Sequence, residues 1–284
     1  MSSIPYPIIQ SQVIQALAED IGSGDVTAAL IPINNHSTAQ LICRENAILC
    51  GQDWFNEVFQ QLDQATQIDW HCHDGDSITE DQCVCTLTGS ARAILTGERT
   101  AMNFLQTLSG TATVTSRYVQ HLVQNSECKN SVKLLDTRKT IPGLREAQKY
   151  AVRCGGGYNH RHGLFDGILI KENHIMAAGS ITDAIRTARN NSPHTLKVEV
   201  EIETLEELQE ALAAKADILL LDNMSNDMLK QAVALNQQQA KLEVSGNITV
   251  ERLTDLANLG IDYISTGAIT KHLTATDFSL RFDK

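Results

Sequence analysis

Residues 197–223 read KVEVEIETLEELQEALAAKADILLLDN. KVEVEIE and ILLLDN are apolar, β-rich runs, and the TLEELQEALAA between them is helix-like. Thr204 and Glu207 form a capping box at the helix start. The same rhythm extends in both directions. VKLLDT, GILIKE, KLEVSG and YISTG are further β-rich runs. LREAQKYAVRC, SITDAIRTARN, SNDMLKQAVAL and TVERLTDLANL are helix-like segments between them. Strands that are nearly continuous in apolar residues and alternate with helices predict a parallel α/β arrangement.

Upstream the pattern differs. Residues 8–20 have helical spacing, and IGSGDVT (21–27) reads as a loop. STAQLIC, AILCG, TQIDWHC and CVCTLTG are short strand-like pieces around a helical DWFNEVFQQLD. From Ala91 to Gln124 the pattern is helical, with Ala93, Leu95, Met102, Leu105 and Leu108 as its apolar face. Ser109-Gly110 predicts a break into two helices. FSLRF (278–282) reads as a last strand returning to the first domain. The expected organisation is an N-terminal α+β domain over 1–110, joined by 271–284, and a parallel α/β domain over 111–270 that carries most of the site.

Each strand of the parallel half ends in groups that can do chemistry. VKLL ends in Asp136, Thr137, Arg138 and Lys139; GILI ends in Lys171; KVEVE ends in Glu201. ILLL ends in Asp222 and Asn223, KLEV in Ser245, Gly246 and Asn247, and YI in Ser265, Thr266 and Gly267. Active sites lie at the C-terminal ends of the strands in an α/β barrel and in a crevice at the same edge of an open α/β sheet, so the six ends predict one shared site. Arg138, Lys139, Arg161 and Lys171 suit carboxylates or phosphates. The SGN (245–247) and STG (265–267) turns offer backbone N–H groups before helices. Glu201 and Asp222 would repel a bare polyanion; they fit a bridging divalent cation or sugar hydroxyls. Together these groups point to a phosphoribosyl or nucleotide ligand. A Schiff-base role for Lys171, as in an aldolase, is the rival reading from residues alone. CGGGYNHR (154–161) lacks the dinucleotide spacing and follows a helix, so it is not a nucleotide loop of that kind.

Charge supports the same reading. Residues 134–175 hold seven Lys/Arg and four Asp/Glu, a net +3, while the whole chain sums to −11. Cations concentrated in an acidic protein point to a small anionic substrate, and the acidic balance argues against nucleic-acid binding. No apolar run reaches the roughly 20 residues of a membrane span, and MSSIPYPIIQSQ lacks a secretory pattern. The seven cysteines (43, 50, 72, 83, 85, 128 and 154) show no CxxC pair. They read as reduced thiols of a cytoplasmic protein. His71, Cys72 and His73 lie consecutively on a predicted strand, so they do not converge on a metal. Glu98-Arg99 reads as a solvated helix pair.

The chain resembles the quinolinate phosphoribosyltransferase family. The resemblance runs through GERTAMNFLQTLSGTAT (97–113), LLDTRKTIPGLREAQKYAV (134–152), GGGYNHRHGLFDGILIKENHI (155–175), VEVEIETLEE (198–207), LLLDNM (219–224), VSGNI (244–248) and YISTGAIT (263–270). It implies a sandwich-like N-terminal domain over 1–110 and an incomplete parallel α/β barrel over 111–270, and a reaction of quinolinate with phosphoribosyl pyrophosphate, giving nicotinate mononucleotide, pyrophosphate and carbon dioxide in de novo NAD synthesis. By the family pattern Arg138, His160, Arg161 and Lys171 surround the quinolinate carboxylates. Arg99 reaches the site from a neighbouring subunit of a homodimer or an assembly of dimers, which would replace the solvated-pair reading. Thr137, Lys139, Glu201 and Asp222, with Ser245–Asn247 and Ser265–Gly267, hold the phosphoribosyl pyrophosphate and its Mg2+, with Glu201 and Asp222 nearest the metal. Arg99, Lys139, Lys171, Glu201 and Asp222 are the expected catalytic set, and no organic cofactor is implied. The alternatives are a nicotinate phosphoribosyltransferase without decarboxylation, a molybdate-transport-associated paralogue, and a non-catalytic phosphoribosyl pyrophosphate-binding protein.

Overall fold

The structure is a computed structural model and describes residues 4–126 and 132–283; Cys128 lies outside the described residues. In chain order the elements are α1 (Tyr6–Ile21), β1 (His36–Cys43), β2 (Ala47–Ile48), α2 (Gln52–Leu62), β3 (Gln67–Trp70), β4 (Ser77–Ile78), β5 (Cys83–Ser90) and α3 (Ala91–Asn125). Next come β6 (Lys133–Leu135), α4 (Arg145–Cys154), β7 (Ile168–Ile170), α5 (Glu172–Ala178), α6 (Ile181–Asn191), β8 (Val198–Ile202) and α7 (Leu205–Ala213). The chain finishes with β9 (Ile218–Asp222), α8 (Asn226–Asn236), β10 (Lys241–Ser245), α9 (Val250–Leu256), β11 (Tyr263–Ser265), α10 (Ala268–Lys271) and β12 (Phe278–Phe282). Two compact units result. One holds the described residues up to Ser116, Thr140–Gly156 and the residues from Ile269 onward; the other holds Arg117–Lys139 and Gly157–Ala268.

The first unit is built on an antiparallel sheet in the order β12-β1-β5-β3. Ala39, Leu41 and Cys43 alternate along β1 and are fully buried, as the two-residue period of a half-covered strand requires. Their core includes Ile9, Val13 and Leu17 of α1, at i, i+4, i+8, and Trp54, Phe55, Val58 and Phe59 of α2. Each of these large side chains contributes about 1.5–3 kcal/mol by leaving water. β12 completes the edge by pairing with β1, with Leu280 opposite Leu41.

α3 departs from expectation in two ways. It is one continuous helix of 35 residues, not two. Gly110 is there for close approach: a Cβ at that position would lie 2.2 Å from the Thr274 carbonyl oxygen. Ser109 accepts the Cys50 N–H through Oγ at 3.0 Å, which ties the helix to the strand region instead of ending it. The buried face is also shifted. Ile94, Ala101, Met102, Leu105, Leu108 and Ala112 are buried, whereas Leu95 is exposed and Ala93 only half-buried.

The second unit contains a parallel six-stranded sheet in the order β6-β11-β10-β9-β8-β7. That is the cyclic order of a barrel left open between β6 and β7. At the open side Tyr158 forms a parallel bridge with Leu135 of β6. Its core strands are buried as predicted: Leu219 and Leu221 of β9 and Val198, Val200 and Ile202 of β8 are essentially inaccessible. The Thr204–Glu207 capping box opens α7, with Thr204 Oγ1 accepting the Glu207 N–H at 3.2 Å. α5 has no counterpart in the sequence reading. It is seven residues long and buries none of them, so it carries no apolar stripe to read.

Candidate active site

The strand ends of the second unit bring one electrostatic group together. Lys171 follows β7 and occupies the N-cap of α5; its backbone N–H donates to His174 Nδ1 at 2.9 Å. That return bond links the first and last residues of KENH. The Lys171 ammonium is ion-paired with Glu201 at the end of β8. Asp222 ends β9; burial and the neighbouring Glu201 push its carboxyl up, while Lys171 and Lys139 oppose that shift. Lys139, Lys171, Glu201 and Asp222 therefore share one field.

The glycine turns pack against this group. A Cβ on Gly267 would lie 2.8 Å from Lys139 Cδ and 3.2 Å from Thr137 Oγ1, so the STG turn abuts both. Thr137 Oγ1 in turn accepts the Lys139 N–H at 3.1 Å. Gly246 (φ +90°) and Asn247 (φ +49°) adopt left-handed backbone. A Cβ at Gly246 would meet Asn223 Oδ1 at 2.1 Å, so only glycine allows this approach. Asn223 Nδ2 donates to Asp222 Oδ2 at 2.8 Å. Arg252 fastens the SGN turn from α9, donating to the carbonyls of Gly246 (2.6 Å) and Met224 (2.8 Å). The STG turn offers less than expected. The Thr266 N–H already donates to the Leu135 carbonyl at 3.1 Å.

A second set forms along the open seam. Asp136 is fully buried and accepts from the His160 N–H at 2.9 Å and from Asn159 Nδ2 at 2.5 Å. With the Tyr158–Leu134 and Asp136–Tyr158 backbone bonds, it holds residues 158–160 against the end of β6. Arg161 follows directly and donates to the Gly167 carbonyl at 3.0 Å. Burial lowers the pKa of Arg161, and Arg138 lowers it further; Glu199 and Asp166 work the other way. Two guanidinium groups within electrostatic reach in a half-buried place have the chemistry to take an anion. His160 points its Nε2 at Glu199 Oε2, 3.1 Å away, and at Glu243 Oε1, 3.5 Å away.

Every expected site residue except Arg99 thus belongs to the second unit. Arg99 lies in the first, exposed on α3, beside a half-buried Glu98 whose carboxyl is raised by burial. Arg252, Glu199 and Glu243 had not been singled out. The signal for the two glutamates was available: each is an acid inside an otherwise apolar strand, two residues before a site residue. The oxygens of Glu201, Glu203 and Asp222 lie within 4.8 Å of one another. An all-carboxylate donor set has the chemistry that Mg2+ takes. Among the described residues no helix is long and apolar enough to cross a membrane.

An open parallel α/β barrel with paired arginines, two lysines and two carboxylates at its strand ends defines a barrel enzyme built for a polyanionic substrate. Residues 25–109 match the N-terminal domain and residues 111–281 the C-terminal domain of quinolinate phosphoribosyl transferase. The chain belongs to the quinolinate phosphoribosyltransferase family. It is 40% identical over 280 residues to a probable nicotinate-nucleotide pyrophosphorylase (carboxylating) of Synechocystis, covering 98% of this chain and 93% of that one. To its Bacillus subtilis counterpart it is 43% identical over 262 residues, covering 92% and 89%. The solved nicotinate-nucleotide pyrophosphorylase of Francisella tularensis superposes with a TM-score of 0.94 at 50% identity, covering 99% and 98% of the two chains.

Proposed function

We propose that this chain transfers the phosphoribosyl group of phosphoribosyl pyrophosphate to quinolinate with loss of carbon dioxide, yielding nicotinate mononucleotide and pyrophosphate for de novo NAD synthesis. The observation that carries the reading is the half-buried Arg138–Arg161 pair beside the Lys139–Lys171–Glu201–Asp222 group, in a chain of this family. Arg138, Arg161 and Lys171 clamp the two ring carboxylates and orient the ring nitrogen. Lys139, with the SGN and STG turns, holds the phosphates. Glu201 and Asp222 steady the ribose hydroxyls and the positive charge that develops at C1. They would also hold Mg2+ with the substrate, and the bound ion would stabilise charge on the leaving pyrophosphate.

The bond from C1 to the pyrophosphate oxygen breaks as the ring nitrogen bonds to C1. The nitrogen is then cationic, and its positive charge stabilises the electron pair that stays on C2 when the carboxylate departs as carbon dioxide; C2 uses that pair to take up a proton. Positioning and charge carry the rate, and no side chain forms a covalent intermediate. The enzyme works as a homodimer or an assembly of dimers, with Arg99 completing the neighbour's carboxylate site, and it resides in the cytoplasm. The six described cysteines are all free, which suits a reducing compartment.

Product analysis tests the reaction. Purified protein is incubated with phosphoribosyl pyrophosphate, Mg2+ and either quinolinate or nicotinate, and carbon dioxide and nicotinate mononucleotide are followed. Both products from quinolinate and none from nicotinate are expected. Turnover of nicotinate alone moves the activity to the non-decarboxylating transferase. Turnover of neither leaves a binding protein or a transport-associated paralogue.

A further inference from the structure

Below the strand ends lies a cavity of about 520 Å³, which Arg161 and His160 border. His160, Glu199 and Glu243 line its inner end, and Lys197, Ile218 and Tyr263 lie nearer the strand starts. Glu199 is 5% exposed and Glu243 1%. Glu243 Oε1 is buried without a hydrogen-bond partner. His160, Glu199 and Glu243 bring their ligating atoms within 4.8 Å of one another, as a metal site would. The histidine decides against a metal. Its Nδ1 accepts the Arg161 backbone N–H at 2.7 Å, so the ring proton is on Nε2, which faces the carboxylates. A nitrogen carrying its proton cannot ligate, and a doubly protonated ring would set two N–H groups against each other at Nδ1.

The charge count then leaves one acid over. His160 is neutral. Glu199 faces its N–H and interacts with Arg161. Facing Glu243 are Glu199 from β8, His160 from the seam and the Ser265 hydroxyl from β11; His160, whose Nδ1 is taken up by the Arg161 N–H, brings an N–H and no full charge. A buried, unpaired carboxylate is too costly to persist, and the group takes up a proton instead. We propose that Glu243 is a positioning residue that stands as a neutral carboxylic acid behind His160. With Glu199 it fixes the Nε2–H tautomer, and through the His160–Arg161 contact it fixes the segment that presents Arg161 to the quinolinate carboxylates. Burial and Glu199 push the Glu243 carboxyl up to about 7 against the opposing pull of His160 and the Ser265 hydroxyl, which agrees with this protonation.

The thermal arm of the test is independent of the reaction; the kinetic arm rests on the proposed quinolinate reaction. The folded state raises the pKa of Glu243, so the stability it contributes is full in acid and is lost as pH rises through about 7. Glu243→Gln stays neutral throughout. Thermal unfolding of the two proteins from pH 5 to 8.5 should therefore show the variant gaining about 5–10 °C on wild type across that range. A constant difference overturns the neutral acid. In quinolinate kinetics the wild-type KM should climb several-fold above neutral pH with kcat less affected. Glu243→Gln should abolish the climb, and Glu243→Ala should raise KM about tenfold at every pH. Equal KM defects in the Gln and Ala variants overturn the positioning role. If wild type turns over no quinolinate, the reaction assignment fails, and the thermal comparison still decides the protonation of Glu243.

Discussion

Arg138 and Arg161 repel each other in a half-buried site, and a substrate with two carboxylates relieves that repulsion. A charge-assisted pair is worth about 1.5–3 kcal/mol per hydrogen bond. Arg138→Ala should thus lower kcat/KM for quinolinate by about a hundredfold to ten-thousandfold while moving the unfolding midpoint by no more than about 3 °C. Near-wild-type turnover in that variant would sink the assignment of the carboxylate site. Arg252 acts at one remove, because its two hydrogen bonds hold the turn and not the ligand. Arg252→Ala should raise the KM for phosphoribosyl pyrophosphate and leave that for quinolinate within about twofold, since its loss frees two carbonyls worth about 1 kcal/mol each. Equal effects on both substrates would mean the turn does not discriminate between them. The arginines of DTRKT and HRHGL were legible because they stand beside strand ends and turns. Arg252 was not: within a helix it looks like any solvated cation, and its partner Met224 lies 28 positions away.

At the level of elements, the parallel strands were legible because burial on both faces leaves unbroken apolar runs. The interpretation of Ser109-Gly110 failed for a reason that makes its own prediction. Glycine in a helix costs about 1 kcal/mol relative to alanine, so by propensity alone Gly110→Ala should stabilise α3. Tertiary packing says the opposite: the new methyl would stand 2.2 Å from the Thr274 carbonyl oxygen and 3.3 Å from Ala275 Cα. Both are backbone atoms that cannot swing away as a side-chain tip can. Overpacking costs about 1–3 kcal/mol, and a clash with backbone belongs at the upper end, so Gly110→Ala should be net destabilising by about 1–2 kcal/mol in urea unfolding. A more stable variant would show that the 274–275 segment yields. The same competition explains the shifted face of α3, since periodicity fixes the spacing of a stripe but neighbours decide which of two adjacent stripes is buried.

For the whole molecule, Arg99 raises a question that a single chain does not answer. It lies in the first unit, exposed, while the remaining site residues lie in the second. Sharing it between subunits of a homodimer turns that separation into a test. In a hybrid of Arg99→Ala with Lys171→Ala, the site bearing the intact Lys171 draws its arginine from the subunit whose Arg99 is intact. That site is whole, and the other carries both defects. Random exchange places half of the chains in hybrids, each with one working site, so mixing two inactive proteins should restore about one quarter of wild-type activity. If each site used its own Arg99, every site in the hybrid would keep one defect, and activity would stay at the level of the parents. Exchange itself is checked by mixing differently tagged subunits and recovering both tags together. With exchange demonstrated, recovery of activity establishes a shared site, and its absence confines Arg99 to its own chain or removes it from the site.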